Sequence, residues 1–229
     1  MIIQARMSSR RLPGKVLKEI DGRPLLAYLL DGLRKASRVG ELIIATSANR
    51  EDDPIETFAD DQNINCFRGE RDNVAGRLCL AAQEFGFSYF VRVNGDSPLL
   101  DFRLIDRACK ILEKRKVDVV TNVHPRTFPK GQSVELIRTK ALLDVLDQTS
   151  DRAHLEHVTS YFYANYMRYQ IRNFHRPERL DHLNYCVDTS RDFSRITRVI
   201  GAMSRHHTDY TYEELGDLIG THENAQCAV

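Results

Sequence analysis

Short, nearly all-apolar runs alternate along this chain with segments whose apolar residues recur every three or four positions. Ile2 and Ile3 start a run that stops at Ala5, and Leu26, Leu29, Leu30 and Leu33 then mark one face of a helix reaching about Ser37. Residues 41–46 are again almost wholly apolar, the pattern of a parallel strand covered on both sides. The alternation repeats: helix over 53–62, strand over 64–67, helix over 72–85, strand over 89–93, helix from a capping Asp101 to about Lys114, and strand over 117–121. Strand and helix in strict turn imply an α/β fold whose mostly parallel sheet is joined by right-handed crossovers.

The regularity breaks after Thr121, where Pro125, Pro129 and Gly131 bracket a loop. A strand-like stretch over 133–137 follows, then a helix from Thr139 and a second helix over 151–165 with Leu155, Val158 and Phe162 on its apolar face. Residues 169–174 and 184–187 read as strands. A helix starting near Thr189 or Ser190 runs to about Met203, and a last helix over 211–219 precedes a polar tail. Tyr161, Tyr163, Tyr166, Tyr169 and Phe174 crowd one section; core packing accounts for them, and so does a subunit interface, where aromatic residues are enriched. There is no internal repeat, low-complexity segment or clear linker, so residues 1–229 read as one domain.

Charge narrows the functional classes. The 229 residues carry 33 basic and 32 acidic side chains, a net charge of +1, which argues against a general nucleic-acid binder and makes any anion site local. No run approaches the roughly 18 apolar residues of a membrane span, and the first residues form a strand in place of a signal segment, so a cytoplasmic protein without a membrane partner is expected. Five cysteines (Cys66, Cys79, Cys109, Cys186, Cys227) without CxxC spacing suggest neither a disulfide framework nor a zinc site.

Three segments fall at the carboxyl ends of strands, where ligands bind in open α/β sheets: the loop from Arg6 to Lys15, Asn94-Gly95-Asp96, and Asp188. In the first, Arg6, Arg10, Arg11 and Lys15 sit among Ser8, Ser9, Pro13 and Gly14, an arrangement suited to a polyphosphate; a solvated basic loop is the other reading. It is not a P-loop, since Ser9 stands where the first glycine belongs and Val16 follows Lys15. Asp96 and Asp188 supply two carboxylates for a magnesium ion, although either alone reads equally as a turn or helix-capping residue. His154 and His157, three apart and without a third ligand, do not make a metal site, and His206 and His207 read as surface residues.

The pattern Ala5-Arg6-x-x-Ser9-x-Arg11-Leu12-Pro13-Gly14-Lys15-x-Leu17 resembles the nucleotide-binding signature of the sugar-acid cytidylyltransferases, the 3-deoxy-manno-octulosonate and acylneuraminate group, and most of all its spore-coat polysaccharide branch. Gly95-Asp96 and Val187-Asp188-Thr189-x-x-Asp192 resemble the metal motifs of that group. The resemblance implies a three-layer, Rossmann-like nucleotide-diphospho-sugar transferase fold with a small inserted dimerisation arm within about 123–175, and a homodimer. It implies transfer of CMP from CTP to the anomeric hydroxyl of an acidic sugar, with pyrophosphate released and Mg2+ as cofactor.

By the same resemblance Ala5, Arg6, Ser9, Arg11 and Lys15 hold the nucleotide, with Lys15 and Arg6 catalytic; Arg77 and Asn94 lie on the nucleoside side; Asp96 and Asp188 hold the metal; and Glu135, His157 and Tyr161 lie at the sugar end. His157 and Tyr161 are four apart and on one helix would face the same way. In the segment 72–77 only Arg77 matches the pattern of close relatives, which leaves base selectivity open. A nucleotidyltransferase using a sugar 1-phosphate or another base, and a nucleotide-binding subunit without turnover, remain alternatives.

Overall fold

Along each central strand the side chains alternate between two apolar clusters, and this alternation builds the layers. The computed structural model describes residues 1–226. Strand β1 (Ile2–Gln4) leads through the cationic loop and a 3₁₀ turn at Lys15–Leu17 into a small hairpin, β2 (Glu19–Ile20) and β3 (Arg23–Pro24), and then α1 (Leu25–Arg34). The alternation continues as β4 (Ile43–Ser47), α2 (Asp53–Asp61), β5 (Asn65–Gly69), α3 (Val74–Glu84), β6 (Tyr89–Asn94), α4 (Phe102–Lys114) and β7 (Val119–Thr121). There follow β8 (Glu135–Arg138), α5 (Thr139–Leu146), the short α6 (Arg152–Glu156) and α7 (Ser160–Ala164), β9 (Ile171–Asn173), α8 (Ser190–Gly201) and α9 (Tyr212–Gln226).

Seven strands form one sheet in the order β5-β4-β1-β6-β8-β7-β9, parallel throughout except for β8, which runs antiparallel between β6 and β7. Ile3, Ile44, Val91 and Val93 pack with buried residues of α1, α2 and α4, whereas Ile2, Ile43, Ala45 and Phe90 pack with those of α3 and α5. Each such aliphatic side chain contributes about 1.5–3 kcal/mol when wholly buried. A third cluster joins Leu12 of the loop to Tyr185, Val187 and the apolar faces of α8 and α9, so the C-terminal segment closes over the loop side of the sheet. The α/β expectation is met, and among the described residues no helix is long and apolar enough to cross a membrane.

Four details refine the sequence reading. Residues 151–165 are not one helix: His157 leaves helical geometry (φ −100°, ψ 57°), Val158 is fully buried, and the Thr159 hydroxyl donates to Glu135, so the chain gives up a helical turn to place these two side chains. Residues 184–187 form no ladder; their one isolated bridge is Lys130 to Asn184, and the Val187 amide bonds separately to the Asp96 carbonyl (2.9 Å). The stretch 123–175 supplies β8 and β9 to the main sheet, leaving Tyr166 and Met167 as its large exposed apolar side chains, while Phe162 and Phe174 are core. The last helix runs on to Gln226, and Cys227 lies outside the described residues.

The 130–131 turn decides where the C-terminal segment lies. Lys130 donates to the Leu183 carbonyl (3.0 Å) and accepts from the Tyr185 amide (2.7 Å). Gly131 has φ +90°, and a β-carbon there would come within 2.8 Å of the Tyr185 backbone, so both the conformation and the close approach require glycine.

Candidate active site

The carboxyl ends of β1 and β6 lie side by side, and the backbone ties a third segment to them. The Gly95 amide donates to Gln4 (2.9 Å) and the Val187 amide donates to the Asp96 carbonyl (2.9 Å), which brings Asp188 beside Asp96 across ninety-two positions of sequence. Thr189 and Asp192 then form a capping box at the start of α8, with Asp192 also accepting from the Asp188 amide; Asp192 is thereby spent on the helix start. Gly14, at φ +68°, turns the cationic loop into the Lys15–Leu17 turn.

Lys15 Nζ lies 2.7 Å from Asp96 Oδ2 and 2.9 Å from Asp188 Oδ1, and Arg11 reaches Asp188 Oδ2 at 3.1 Å. Burial pulls the Lys15 ammonium down, but the two carboxylates outweigh it and hold the group above its usual value. The same environment pushes the intervening Cys186 thiol up to about 12, by burial first and then by Asp96.

Ala5, Arg6, Ser9, Arg11, Lys15, Arg77, Asn94, Asp96, His157 and Asp188 all line one cavity of about 670 Å³. The Ser8 hydroxyl and the Asn94 side-chain oxygen are buried there without hydrogen-bond partners, which marks polar capacity the fold does not use. Arg77 lines the cavity, yet its guanidinium donates to the carbonyls of Glu70 (2.6 Å) and Arg71 (3.1 Å); burial, with Arg6 nearby, lowers it to about 10. Arg6 meets Glu156 at 3.5 Å.

Glu135 and Tyr161 do not line the cavity. Tyr161 stands edge-on to His154 and Tyr169, and because the helix breaks at His157 the two residues do not share a face, which corrects the spacing argument made from sequence. Glu135 is a buried anchor: it pairs with Arg92 at 2.5 Å and accepts from Thr159 (2.6 Å) and Tyr163 (2.7 Å). Arg92, which does line the cavity, donates also to Gln4 (2.8 Å). A charged residue inside the apolar 89–93 run was the available signal for Arg92; nothing in the local sequence marked Glu156.

A larger open groove of about 970 Å³ lies at the other end of the strands, around Tyr89, Val117 and Thr139, and contains none of these residues. The smaller cavity is the candidate site, since ligands of such sheets bind beyond the strands' carboxyl ends. Among the described residues Asp31, His206 and His207 also cluster, but Asp31 is taken by Arg23 (2.8 Å) and His207 Nε2 donates to the Tyr28 carbonyl (2.9 Å). His207 is thus buried, contrary to the sequence reading; burial lowers it and keeps it a neutral link to α1.

Residues 1–218 match the cytidylyltransferase family over nearly the whole chain. The chain belongs to the cytidylyltransferase family. It is accordingly a CTP-dependent nucleotidyltransferase. Among relatives of this cytidylyltransferase, the spore coat polysaccharide biosynthesis protein SpsF of Bacillus subtilis is 29% identical over 231 residues, 98% of this chain and 95% of that protein. The 3-deoxy-manno-octulosonate cytidylyltransferase of Bdellovibrio bacteriovorus is 29% identical over 140 residues, 60% of this chain and 55% of that enzyme. A solved cytidylyltransferase of Leptospira borgpetersenii shares the fold with a TM-score of 0.91 at 23% identity, covering 97% of this chain and 94% of that one.

The buried Glu135 carries a pH prediction. Burial works to raise its carboxyl, but the Arg92 charge and the Thr159 and Tyr163 hydroxyls win and hold it below its ordinary value of 4.5. A depressed native value means stability that is fully present above the unfolded-state value and lost as pH falls through the native one. Glu135→Gln is expected to cost about 3 kcal/mol in urea unfolding at pH 7, because Arg92 loses its charged partner. The difference from wild type should narrow as pH falls below 4.5; a difference independent of pH contradicts the charged pair.

Proposed function

We propose that this cytidylyltransferase moves CMP from CTP to the anomeric hydroxyl of an acidic sugar. The observation that carries the reading is one cavity in which Arg6, Ser9, Arg11 and Lys15 of a single loop face Asp96 and Asp188 from two other strand ends. An acidic sugar is our inference from the sequence motifs and from the names of the SpsF and octulosonate relatives; the chain spans only about half of the latter enzyme. CTP is a cytoplasmic metabolite, and we assign the enzyme to that compartment and to cell-surface polysaccharide synthesis.

In this reading the triphosphate lies along the cationic loop, with the nucleoside toward Asn94 and Arg77 and the acceptor toward Arg92 and His157. The acceptor hydroxyl gives up its proton to solvent as its oxygen bonds to the α-phosphorus, the bond from that phosphorus to the oxygen bridging the β-phosphate breaks, and pyrophosphate leaves with that oxygen. Lys15, with Arg6 and Arg11, neutralises the charge that grows on the transferring group. The donor set fits a divalent cation, which we take to be magnesium: Asp96 and Asp188 already converge on one positive charge, at 2.7 and 2.9 Å from the same nitrogen. When bound, such an ion lowers the pKa of a coordinated hydroxyl and screens phosphate charge. Arg92, locked by Glu135 and Gln4, keeps the cavity wall in place while this happens.

Pyrophosphate release with each nucleoside triphosphate, against a panel of 2-keto-3-deoxy sugar acids and sugar 1-phosphates, tests the assignment. Release is expected with CTP and a sugar acid together; release with sugar 1-phosphates alone overturns it. Lys15→Ala should lower kcat by about 10²–10³. Asp96→Asn and Asp188→Asn should each remove most turnover and the double variant should be scarcely worse, as for residues acting as a unit; strictly multiplicative losses contradict a shared cation.

We also propose a homodimer joined through the exposed Tyr166 and Met167, 61% and 83% accessible, since a twofold pair is the commonest oligomer. Sedimentation at micromolar concentration should give twice the 26.4 kDa chain mass, and Tyr166→Ser with Met167→Ser should shift it to the monomer. A wild-type species of 26.4 kDa alone refutes the pair.

A further inference from the structure

Asp52 is fully buried, in the 3₁₀ turn Arg50–Asp52 immediately before α2. An aspartate at that position ordinarily caps the helix by accepting an amide two or three residues on. Asp52 makes no such bond. Its carboxylate points away from its own helix: Oδ1 accepts the Met7 amide at 2.6 Å, and Oδ2 accepts the Ser47 amide at 3.2 Å and the Ser47 hydroxyl. A wholly buried carboxylate thus spends one oxygen on the end of β4 and the other on the cationic loop, forty-five positions earlier.

Met7 is the hub of that loop. While its amide is held by Asp52, its carbonyl accepts the amides of Ser9 (2.8 Å) and Gly14 (2.9 Å). One anchored residue therefore sets both ends of the segment that carries Arg10, Arg11 and the approach to Lys15. Loops without such an anchor sample many conformations, and ordering them on binding reduces affinity.

We infer that Asp52 is a positioning residue for the triphosphate: through Met7 it pre-shapes the loop that receives CTP, without touching the nucleotide. The inference rests on the assignment of that loop to the triphosphate. It separates from a plain structural role because Ser47 shares the same carboxylate while its hydrogen bonds go to Asp52, Asn49 and Arg68 and none to the loop. Asp52→Asn preserves size and one acceptor oxygen, yet puts an NH2 group against a backbone donor, so the Met7 and Ser47 amides compete for what remains.

The test compares wild type, Asp52→Asn and Ser47→Ala by thermal melting, by the KM and kcat of pyrophosphate release, and by calorimetric binding of CTP. Asp52→Asn should raise both KM and Kd for CTP about tenfold, the size of one buried amide left without its partner. Ser47→Ala should lower the melting temperature while leaving KM for CTP within about twofold of wild type. Equal melting losses in the two variants with KM for CTP unchanged in both would overturn the positioning role. Should Asp52→Asn fail to fold, amide exchange of the nucleotide-free wild type decides: the Met7 amide is expected to be strongly protected, and exchange at the rate of an unprotected loop amide overturns the inference. Wild type that binds no CTP defeats the loop assignment instead, and the Met7 exchange then stands as the remaining test of the anchor.

Discussion

Everything at the carboxyl edge of this sheet is arranged around one ammonium held between two carboxylates. Asp96 and Asp188 come from different segments, and two carboxylates brought together repel unless a cation lies between them. Lys15 supplies that cation from the third segment. The contact therefore does two jobs. It lets three strand ends approach closely enough to make one cavity, and it fixes a position where positive charge is favoured. In the proposed function the second job is the chemical one, because phosphoryl transfer is chiefly a matter of positioning and charge neutralisation.

The surroundings hold this arrangement by spending other polar groups on structure. Asp192 is used in the capping box that starts α8 one residue after Asp188, Glu135 is used to immobilise Arg92, and Arg77 is used on the carbonyls of the 70–71 loop. Asp52 grips the loop from behind. Buried in the same cavity without hydrogen-bond partners are the Ser8 hydroxyl, the Asn94 oxygen and Arg77 Nε. An outer ring of satisfied groups around unsatisfied ones is what a site needs to act without reorganising.

Much of this was legible in the sequence where local pattern and local structure agree. The Ile2-Ile3, Ile43-Ile44 and Val91-to-Val93 runs alternate faces strictly, so strand, layer and carboxyl-end address followed from them, and with these the convergence of Lys15, Asp96 and Asp188. What was hidden depends on distant partners. The 151–165 segment has a helical period, but Val158 and Thr159 are drawn into the core and onto Glu135, breaking the helix and separating His157 from Tyr161. Residues 184–187 have strand composition, but their position is set by the 130–131 turn. Asp52 looks like a helix cap from its neighbours alone, and only the fold reveals that its carboxylate faces Met7.

The cation position that we propose Lys15 shares with a divalent ion is open to direct measurement. Manganese binding to nucleotide-free protein, followed by loss of the free-ion resonance signal, measures that competition directly in wild type and Lys15→Met. With the ammonium removed the two carboxylates should bind manganese severalfold more tightly, because a like charge no longer stands in the site. Binding that is unchanged or weaker in Lys15→Met would contradict the shared position.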